Sequence, residues 1–342
     1  MKIAFTICTN NYLSMARAAA ESFKRHNPDY FFIIGIIDPP DPALAKWYEG
    51  YRMLFCSELQ ITDLHEMAQR YTIVELSCAL KSFFTKHIIQ EHPLASEVLY
   101  IDSDLYFYSD VTAVSNLHQE HDIILTPHLI RPMTFDGKQP DEIAYLATGT
   151  YNGGFFSLKV SDNSKRFVNW WCERMREYCY YNLEKGLFVD QKWLNLVPVF
   201  FDRVYIHKDP GYNICYWNLH ERNVECIDGR YLVNGSSPLV FYHFSSINLK
   251  EGILFFKQQD RFTDLDLPVI RQLFIDYRAA VFAEGFEETN KSKSYFSSVF
   301  QQYTTSTLKK TLKGRIKLWV KNNVKPATKE RLKRRLKGII GS

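Results

Sequence analysis

Two runs near the N-terminus decide most of what this chain can fold into. "KIAFTIC" (2–8) and "YFFIIGIID" (30–38) are apolar almost without alternation, and "YLSMARAAAESFKRH" (12–26) between them has the 3.6-residue period of an amphipathic helix. A strand with no polar face needs cover on both sides, which is the situation of a parallel sheet enclosed by helices. The alternation continues. "LSCALKSFFTKHIIQ" (76–90) and "NSKRFVNWWCERMREYCYY" (163–181) read as helices, and "EVLYID" (97–102), "HDIILTP" (121–127) and "GGFFSLK" (153–159) read as strands. The region 199–246 is strand-rich, with a turn at "DGR" (228–230). The expected fold is α/β, with a mostly parallel central sheet and flanking helices. A length of 342 residues allows one large domain or two small ones.

Composition excludes several classes. The seven cysteines are odd in number, irregularly spaced and without a C-x-x-C pair, so they read as reduced thiols and not as a disulfide framework or a zinc site. The N-terminal apolar run is too short for a signal peptide, and "YFFIIGII" (30–37) is about a third of the length that spans a bilayer. Aromatic residues make up 15% of the chain, enough to supply stacking surfaces for sugars as well as a core.

The chemistry concentrates at "EVLYIDSDLYFYSD" (97–110), where an apolar strand ends in Asp102 and Asp104. In extended backbone, residues i and i+2 face the same way, so the two carboxylates can converge. Like charges that close repel unless a cation lies between them, and hard carboxylate oxygens suit Mg²⁺ or Mn²⁺. In open α/β sheets ligands bind beyond the carboxyl ends of the strands, where this pair sits. A second D-x-D, in "TDLDLP" (263–268), precedes a proline and a helical run, so Asp266 is read there as a helix cap.

Six segments in order resemble glycosyltransferase family 8, the GT-A-fold enzymes that include glycogenin-like and lipopolysaccharide galactosyl- and glucosyltransferase-like proteins. They are "TNNYL" (9–13), "LKSFF" (80–84), "YIDSDLYFYSDV" (100–111), "YNGGFFSLK" (151–159), "DQKWLN" (190–195), and "GYN" (211–213) with "VFYHFSS" (240–246). The resemblance implies a GT-A (Rossmann-like) fold and a metal-dependent, retaining transfer of a sugar from a nucleotide-diphosphate donor, with UDP as the default. It implies that Asp102, Asp104 and His243 bind Mn²⁺ (or Mg²⁺). The donor would meet Thr9, Asn10, Asn11, Tyr12, Lys81, Asp102, Ser103, Asp104, Asn152, Gly153 and Gly154, with Lys250 in the place of a diphosphate lysine. Asp190 and Gln191 would face the sugar as the catalytic pair. The chain departs from the pattern at Asn11, where the family usually has Asp, and after His243, where "HFSSINLKEG" lacks the family's Pro-Trp.

Charge divides the chain unevenly. Residues 307–342 hold thirteen Lys or Arg and one acid, a net of +12, which leaves −8 on residues 1–306. "LKKTLKGRIKLWVKNNV" (308–324) and "KERLKRRLKGII" (329–340) read as basic amphipathic helices suited to an anionic membrane surface. The expected organisation is a catalytic domain (1–250), a helical extension (251–306) and a membrane-associating tail (307–342). The expected placement is cytoplasmic, on the inner face of the plasma membrane. The partners implied are a nucleotide sugar and a glycan or lipid-linked acceptor, with a role in bacterial surface polysaccharide synthesis; no nucleic-acid reader fold is visible. Two other readings compete. A nucleotidyltransferase would carry a Gly-rich basic loop after the first strand, where this chain has "TNNYL". A non-catalytic adaptor of the same fold would be expected to have lost its metal ligands.

Overall fold

The computed structural model describes residues 1–254, 259–263 and 266–310. The chain opens with strand β1 (Lys2–Cys8), helix α1 (Leu13–His26), β2 (Tyr30–Ile36), β3 (Arg52–Phe55), α2 (Leu64–Arg70) and α3 (Ile73–Glu91). Next come β4 (Glu97–Ile101), β5 (Leu105–Phe107), α4 (Thr112–Leu117), β6 (Ile123–Pro127), α5 (Glu142–Thr148), β7 (Tyr151–Lys159) and α6 (Asp162–Tyr178). The short strands β8 (Tyr181–Asn182) and β9 (Leu187–Phe188) follow, then α7 (Val197–Phe200), β10 (Val204–Ile206), β11 (Val224–Ile227), β12 (Arg230–Val233), β13 (Ser237–Pro238) and β14 (Phe241–His243). Helices α8 (Pro268–Ala283), α9 (Phe286–Thr289) and α10 (Tyr295–Lys310) close the described chain.

A seven-stranded sheet in the order β10-β6-β7-β4-β1-β2-β3 forms the centre. Every strand runs the same way except β7, which is antiparallel to both β4 and β6. The missing alternation in the sequence now has its physical reason. Ile3, Phe5 and Ile7 of β1 enter one core cluster with α3 and α6, whereas Ala4 and Cys8 enter a second cluster with α1. β4 divides in the same way, with Val98 and Tyr100 on one face and Leu99 and Ile101 on the other. Each of the larger aliphatic or Phe side chains among them stabilises the fold by roughly 1.5–3 kcal/mol when fully buried.

Local signals set the boundaries. Helix α3 begins at Ile73, three residues before its expected start, because Thr72 and Glu75 form a reciprocal cap: the Glu75 amide donates to Thr72 Oγ1 and the Thr72 amide to Glu75 Oε2. The turn at Asp228 and Gly229, both with positive φ, joins β11 to β12 as a tight hairpin. Asp266 does not cap α8: it folds back to accept from the Thr263 amide and hydroxyl, each at 2.8 Å, while Leu267 occupies the cap position.

The C-terminal helices share the core of the rest. Ile270, Leu273, Phe274, Tyr277 and Val281 of α8 pack in a third cluster with Met15 and Ala18 of α1 and with Tyr242 and Phe244. Phe296 and Val299 of α10 belong to the first cluster, beside α3. Ion pairing of Arg17 with Glu284 at 2.6 Å and a Thr289–Ser14 hydroxyl bond at 3.0 Å add specificity to this contact. The sequence-based tail begins within α10, and its residues from 311 onward lie outside the described residues. Among the described residues no helix is long and apolar enough to cross a membrane.

Gly285 sits at the centre of that contact with φ +85°, and a Cβ there would lie 2.2 Å from the Trp47 ring. Gly285→Ala is therefore expected to destabilise the chain by at least about 1–3 kcal/mol, through strain and overpacking together. Urea denaturation checks this: the midpoint should fall with the slope unchanged.

Candidate active site

A cleft of about 670 Å³ opens at the carboxyl ends of the central strands and is lined by the loop after β1, the first turns of α3 and the turn after β4. Asp102, Ser103 and Asp104 occupy that turn, and all three line the cleft. The two carboxylates are not aligned by strand alternation, as the sequence suggested. β4 ends at Ile101, residues 103 and 104 form a turn, and the Leu105 amide donates back to the Asp102 carbonyl at 3.2 Å. A tight turn between β4 and β5 therefore delivers both carboxylates to one place.

His243 reaches them through strand register. β14 pairs antiparallel with β5, placing His243 opposite Leu105, and the Phe244 amide donates to the Asp104 carbonyl at 2.8 Å. The His243 imidazole then lies 3.1 Å from Asp104 through Nε2 and 3.2 Å from Asn213 Oδ1 through Nδ1. Burial opposes a charged imidazole, but Asp104 outweighs it and holds His243 above its ordinary pKa. Burial would raise the Asp104 carboxyl, yet His243 pulls it below the usual range. Asn213 fixes the far nitrogen of the ring, as partners of metal-bound histidines do.

The residues fit a divalent cation. Asp102, Asp104 and His243 each offer one ligand atom, and these atoms lie within 4.8 Å of one another. Two carboxylate oxygens and an imidazole nitrogen suit Mn²⁺ better than Mg²⁺. The cradle is kept open by Gly154, where a Cβ would lie 2.7 Å from Asp102 Oδ2 and 2.9 Å from His243 Cε1.

Behind this cluster lies a buried ion triad. Lys81 Nζ is 3.2 Å from Asp102 Oδ1, 3.1 Å from Asp190 Oδ2 and 3.0 Å from the Gly153 carbonyl. Burial alone would lower the lysine pKa; Asp102 and Asp190 together hold it well above its ordinary value. The Asp190 carboxyl is raised by its own burial, which Lys81 offsets only in part. The side chain of Asp190 is not a helix cap, since it makes no capping bond to the 3-10 helix Gln191–Leu196 that follows. Val189 before it takes φ +40°, a conformation that a β-branched residue rarely adopts and that recurs at functional sites.

The other expected residues divide into two groups. Thr9, Asn11 and Tyr12 line the cleft, with the Thr9 hydroxyl donating to Asn11 Oδ1 at 2.8 Å and the Tyr12 ring half exposed. Asn152 and Gly153 lie on β7 against the triad; the Gly154 amide donates to Asn152 Oδ1 at 2.6 Å. Gln191 accepts from the Gly153 amide at 3.3 Å and donates to the Thr148 carbonyl at 3.2 Å, so it braces β7. Asn10 departs from expectation. Its side chain is buried against the Pro39 carbonyl and the Tyr48 hydroxyl, away from the cleft, because its amide is drawn to the buried carboxylate of Asp38. Lys250 also departs: it is exposed on the turn after Leu249 and does not line the cleft.

Some site residues had no sequence signal. Tyr100 donates its hydroxyl to Asp102 and lies under Lys81, whose amine is 5.0 Å from the ring centroid. Asn213 stands in the quoted "GYN" segment, but its role at His243 depends on a contact thirty residues away in sequence.

No protein-family profile matches the chain. Two Bacillus subtilis (strain 168) proteins are similar to it. Uncharacterized protein YfnF is 32% identical over 200 residues, covering 58% of this chain and 65% of that protein. Uncharacterized protein YfnD is 25% identical over 248 residues, covering 71% and 77%. The chain thus spans just under two thirds of the length of YfnF. Among solved structures, the galactosyltransferase LgtC in complex with donor and acceptor sugar analogs aligns with a TM-score of 0.48 at 14% identity, over 82% of this chain and 96% of that one. The glycosyltransferase GlyE of Streptococcus pneumoniae TIGR4 aligns with a TM-score of 0.44 at 16% identity, over 86% and 65%. What the site can do is read from its own chemistry.

Lys81→Met should destabilise the protein by about 3–5 kcal/mol, because it strands the buried Asp190 without its partner. Chemical denaturation of Lys81→Met and of Lys81→Met/Asp190→Leu checks this. The double variant should recover most of the loss if the penalty is the unpaired carboxylate.

Proposed function

We propose that this protein is a metal-dependent glycosyltransferase that moves a sugar from a nucleotide-diphosphate donor, with UDP as the nucleotide, to a glycan or lipid-linked acceptor. The observation that carries the reading is the convergence of Asp102, Asp104 and His243, with both carboxylates in the lining of a cleft beyond the parallel strands. A hard-oxygen and imidazole site in that position suits a cation that bridges protein to diphosphate. The resemblance of six ordered segments to glycosyltransferase family 8 supports the same reading.

In this proposal Asp102, Asp104 and His243 hold Mn²⁺ or Mg²⁺. The bound cation would supply neutralisation of the charge that grows on the departing diphosphate. Thr9, Asn11 and Tyr12 bind the nucleoside end of the donor, with the Tyr12 ring available for stacking. Asn152, Gly153 and Gly154, buried on β7, act on the sugar end of the donor through the carboxylates of Asp102 and Asp190, for which the bare backbone leaves room. Lys81 holds Asp190 in place, and Gln191 is a positioning residue that fixes the edge of β7 against it.

The reaction exchanges one bond for another. The bond from the anomeric carbon to the diphosphate oxygen breaks, and a bond from that carbon to the acceptor hydroxyl oxygen forms. Asp190 is 2% exposed and ion-paired to Lys81. That favours a front-face route, with retention, in which the acceptor proton passes to the departing phosphate oxygen. Asp190 and Lys81 then act together as a fixed ion pair on the sugar side of the cation site. A preorganised charge of this kind needs no rearrangement at the moment of reaction.

Residues 311–342, outside the described part, carry the remainder of the basic stretch and are proposed to hold the enzyme on an anionic bilayer, on the cytoplasmic side. Each basic residue near such a surface contributes about 1 kcal/mol, so partial engagement suffices for reversible binding. A lipid-linked acceptor in bacterial surface polysaccharide synthesis fits this arrangement.

Two outcomes are expected. Asp104→Ala and His243→Ala should lose Mn²⁺-dependent UDP binding in calorimetry while keeping the wild-type circular dichroism spectrum; undiminished affinity in both would sink the metal assignment. A chain truncated after Lys310 should stay folded, still hydrolyse donor slowly, and no longer pellet with anionic liposomes, whereas the full chain pellets and high salt releases it only partly. Equal pelleting would remove the tail from the proposal.

A further inference from the structure

One wall of the cleft comes from a segment in which the sequence carried no motif. Ser292, Lys293, Ser294, Ser297, Ser298 and Gln301 line the same volume as Thr9, Asn11, Tyr12 and Asp102. Their side chains fall into two kinds.

Three are already committed. The Ser292 hydroxyl donates to Asp41 at 2.8 Å, and the Ser294 hydroxyl donates to Asp38 Oδ1 at 2.7 Å. The Ser298 hydroxyl turns back to the Tyr295 carbonyl at 2.6 Å. Asp38 also accepts the Tyr295 amide at 2.9 Å and, through its other oxygen, the Asn10 amide at 3.1 Å. A single buried carboxylate at the end of β2 therefore fastens this segment to the loop after β1. Phe296 and Val299, buried in the core beside α3, fix the orientation of the helix.

The other three are uncommitted. The side chains of Lys293, Ser297 and Gln301 have no partner among the described residues. The backbone of this wall is firmly held and three polar heads are left free at an open volume, so on binding a ligand only those side chains remain to be ordered. The lining around them is mixed in the way a nucleotide requires. Ile7, Ile73 and Val74 offer an apolar slot for a flat ring, and the amine, hydroxyl and amide can meet oxygens and nitrogens of the ligand.

Resting on the reading of this cleft as a nucleotide site, we propose that residues 293–301 form its second wall. Lys293, Ser297 and Gln301 bond the bound nucleotide directly and set its affinity. The C-terminal helix is then part of the donor site, and Asp38 joins the two halves of that site.

The test is calorimetric titration of the full chain with UDP in the presence of Mn²⁺. The variants are Lys293→Ala, Ser297→Ala, Gln301→Ala and the triple substitution, with Lys291→Ala as control. Lys291 is exposed on the same segment and does not line the cleft. All the replaced side chains are at least partly exposed, so thermal unfolding should match wild type. The triple variant should bind UDP at least about tenfold more weakly, as the loss of hydrogen bonds that include one from a charged group implies, and Lys291→Ala should bind as wild type. Triple-variant affinity within about twofold of wild type overturns the wall alone, provided Asp104→Ala still loses binding. A loss in Lys291→Ala as large as in Lys293→Ala also overturns it, because bulk charge would then explain the effect. A wild-type chain that binds no UDP overturns the nucleotide reading and this inference together.

Discussion

The amine of Lys81, buried between Asp102 and Asp190, is the interaction on which the rest of the site depends. It joins three parts of the chain that are far apart in sequence: α3, the turn after β4, and the 3-10 helix after β9. A lysine can be buried only with its charge answered, and here two carboxylates and the Gly153 carbonyl answer it. The same requirement explains the backbone around it. A Cβ on Gly153 would press to 2.9 Å from Asp190 Oδ2, so the strand that covers the triad must be bare at that point. The Thr72–Glu75 cap sets where α3 begins, and so which face of the helix Lys81 presents two turns later.

The triad also apportions charge. Asp190 spends its charge on Lys81, while Asp104 pairs with His243. Asp104 and His243 lie 3.1 Å apart, and each favours the charged form of the other, which is why the raised pKa of His243 and the lowered pKa of Asp104 go together. A divalent ion on the same atoms needs the neutral imidazole, so ion and proton would compete for that nitrogen. Asp102 and Asp104 would then balance the ion formally.

The sheet was legible in the sequence because burial on both faces leaves a plain signature: β1, β2, β4 and β7 were each found within a few residues. The Asp102–Asp104 pair was legible for the same reason, as two charges at the end of an apolar run. The geometry that joins them was not, because a turn and an extended strand read alike over three residues. Asn10 and Lys250 show the limit of matching segments by resemblance. Asn10 sits in the expected loop, but the buried carboxylate of Asp38, just beyond β2, takes its amide, and its side chain follows. The role of Asp38 could not be read at all, since its partners Ser294 and Tyr295 lie more than 250 residues away.

That long-range tie bears on how the two ends of the chain act together. Helix α10 starts at the cleft and runs to Lys310, and the basic stretch continues from its end without a break in sequence. From Gln301 to Lys310 an α-helix advances about 14 Å, at 1.5 Å per residue. If the basic stretch lies on a bilayer as proposed, the donor cleft is tethered within a few turns of helix from the lipid surface. Among the described residues, the helix that leads toward the basic stretch is fastened by Asp38 and packed by Phe296 and Val299. A membrane-held acceptor would then meet a donor site whose orientation is set by the same helix. The buried carboxylate of Asp38 thus ties the loop after β1 to the start of α10, so the two walls of the cleft are held by one group.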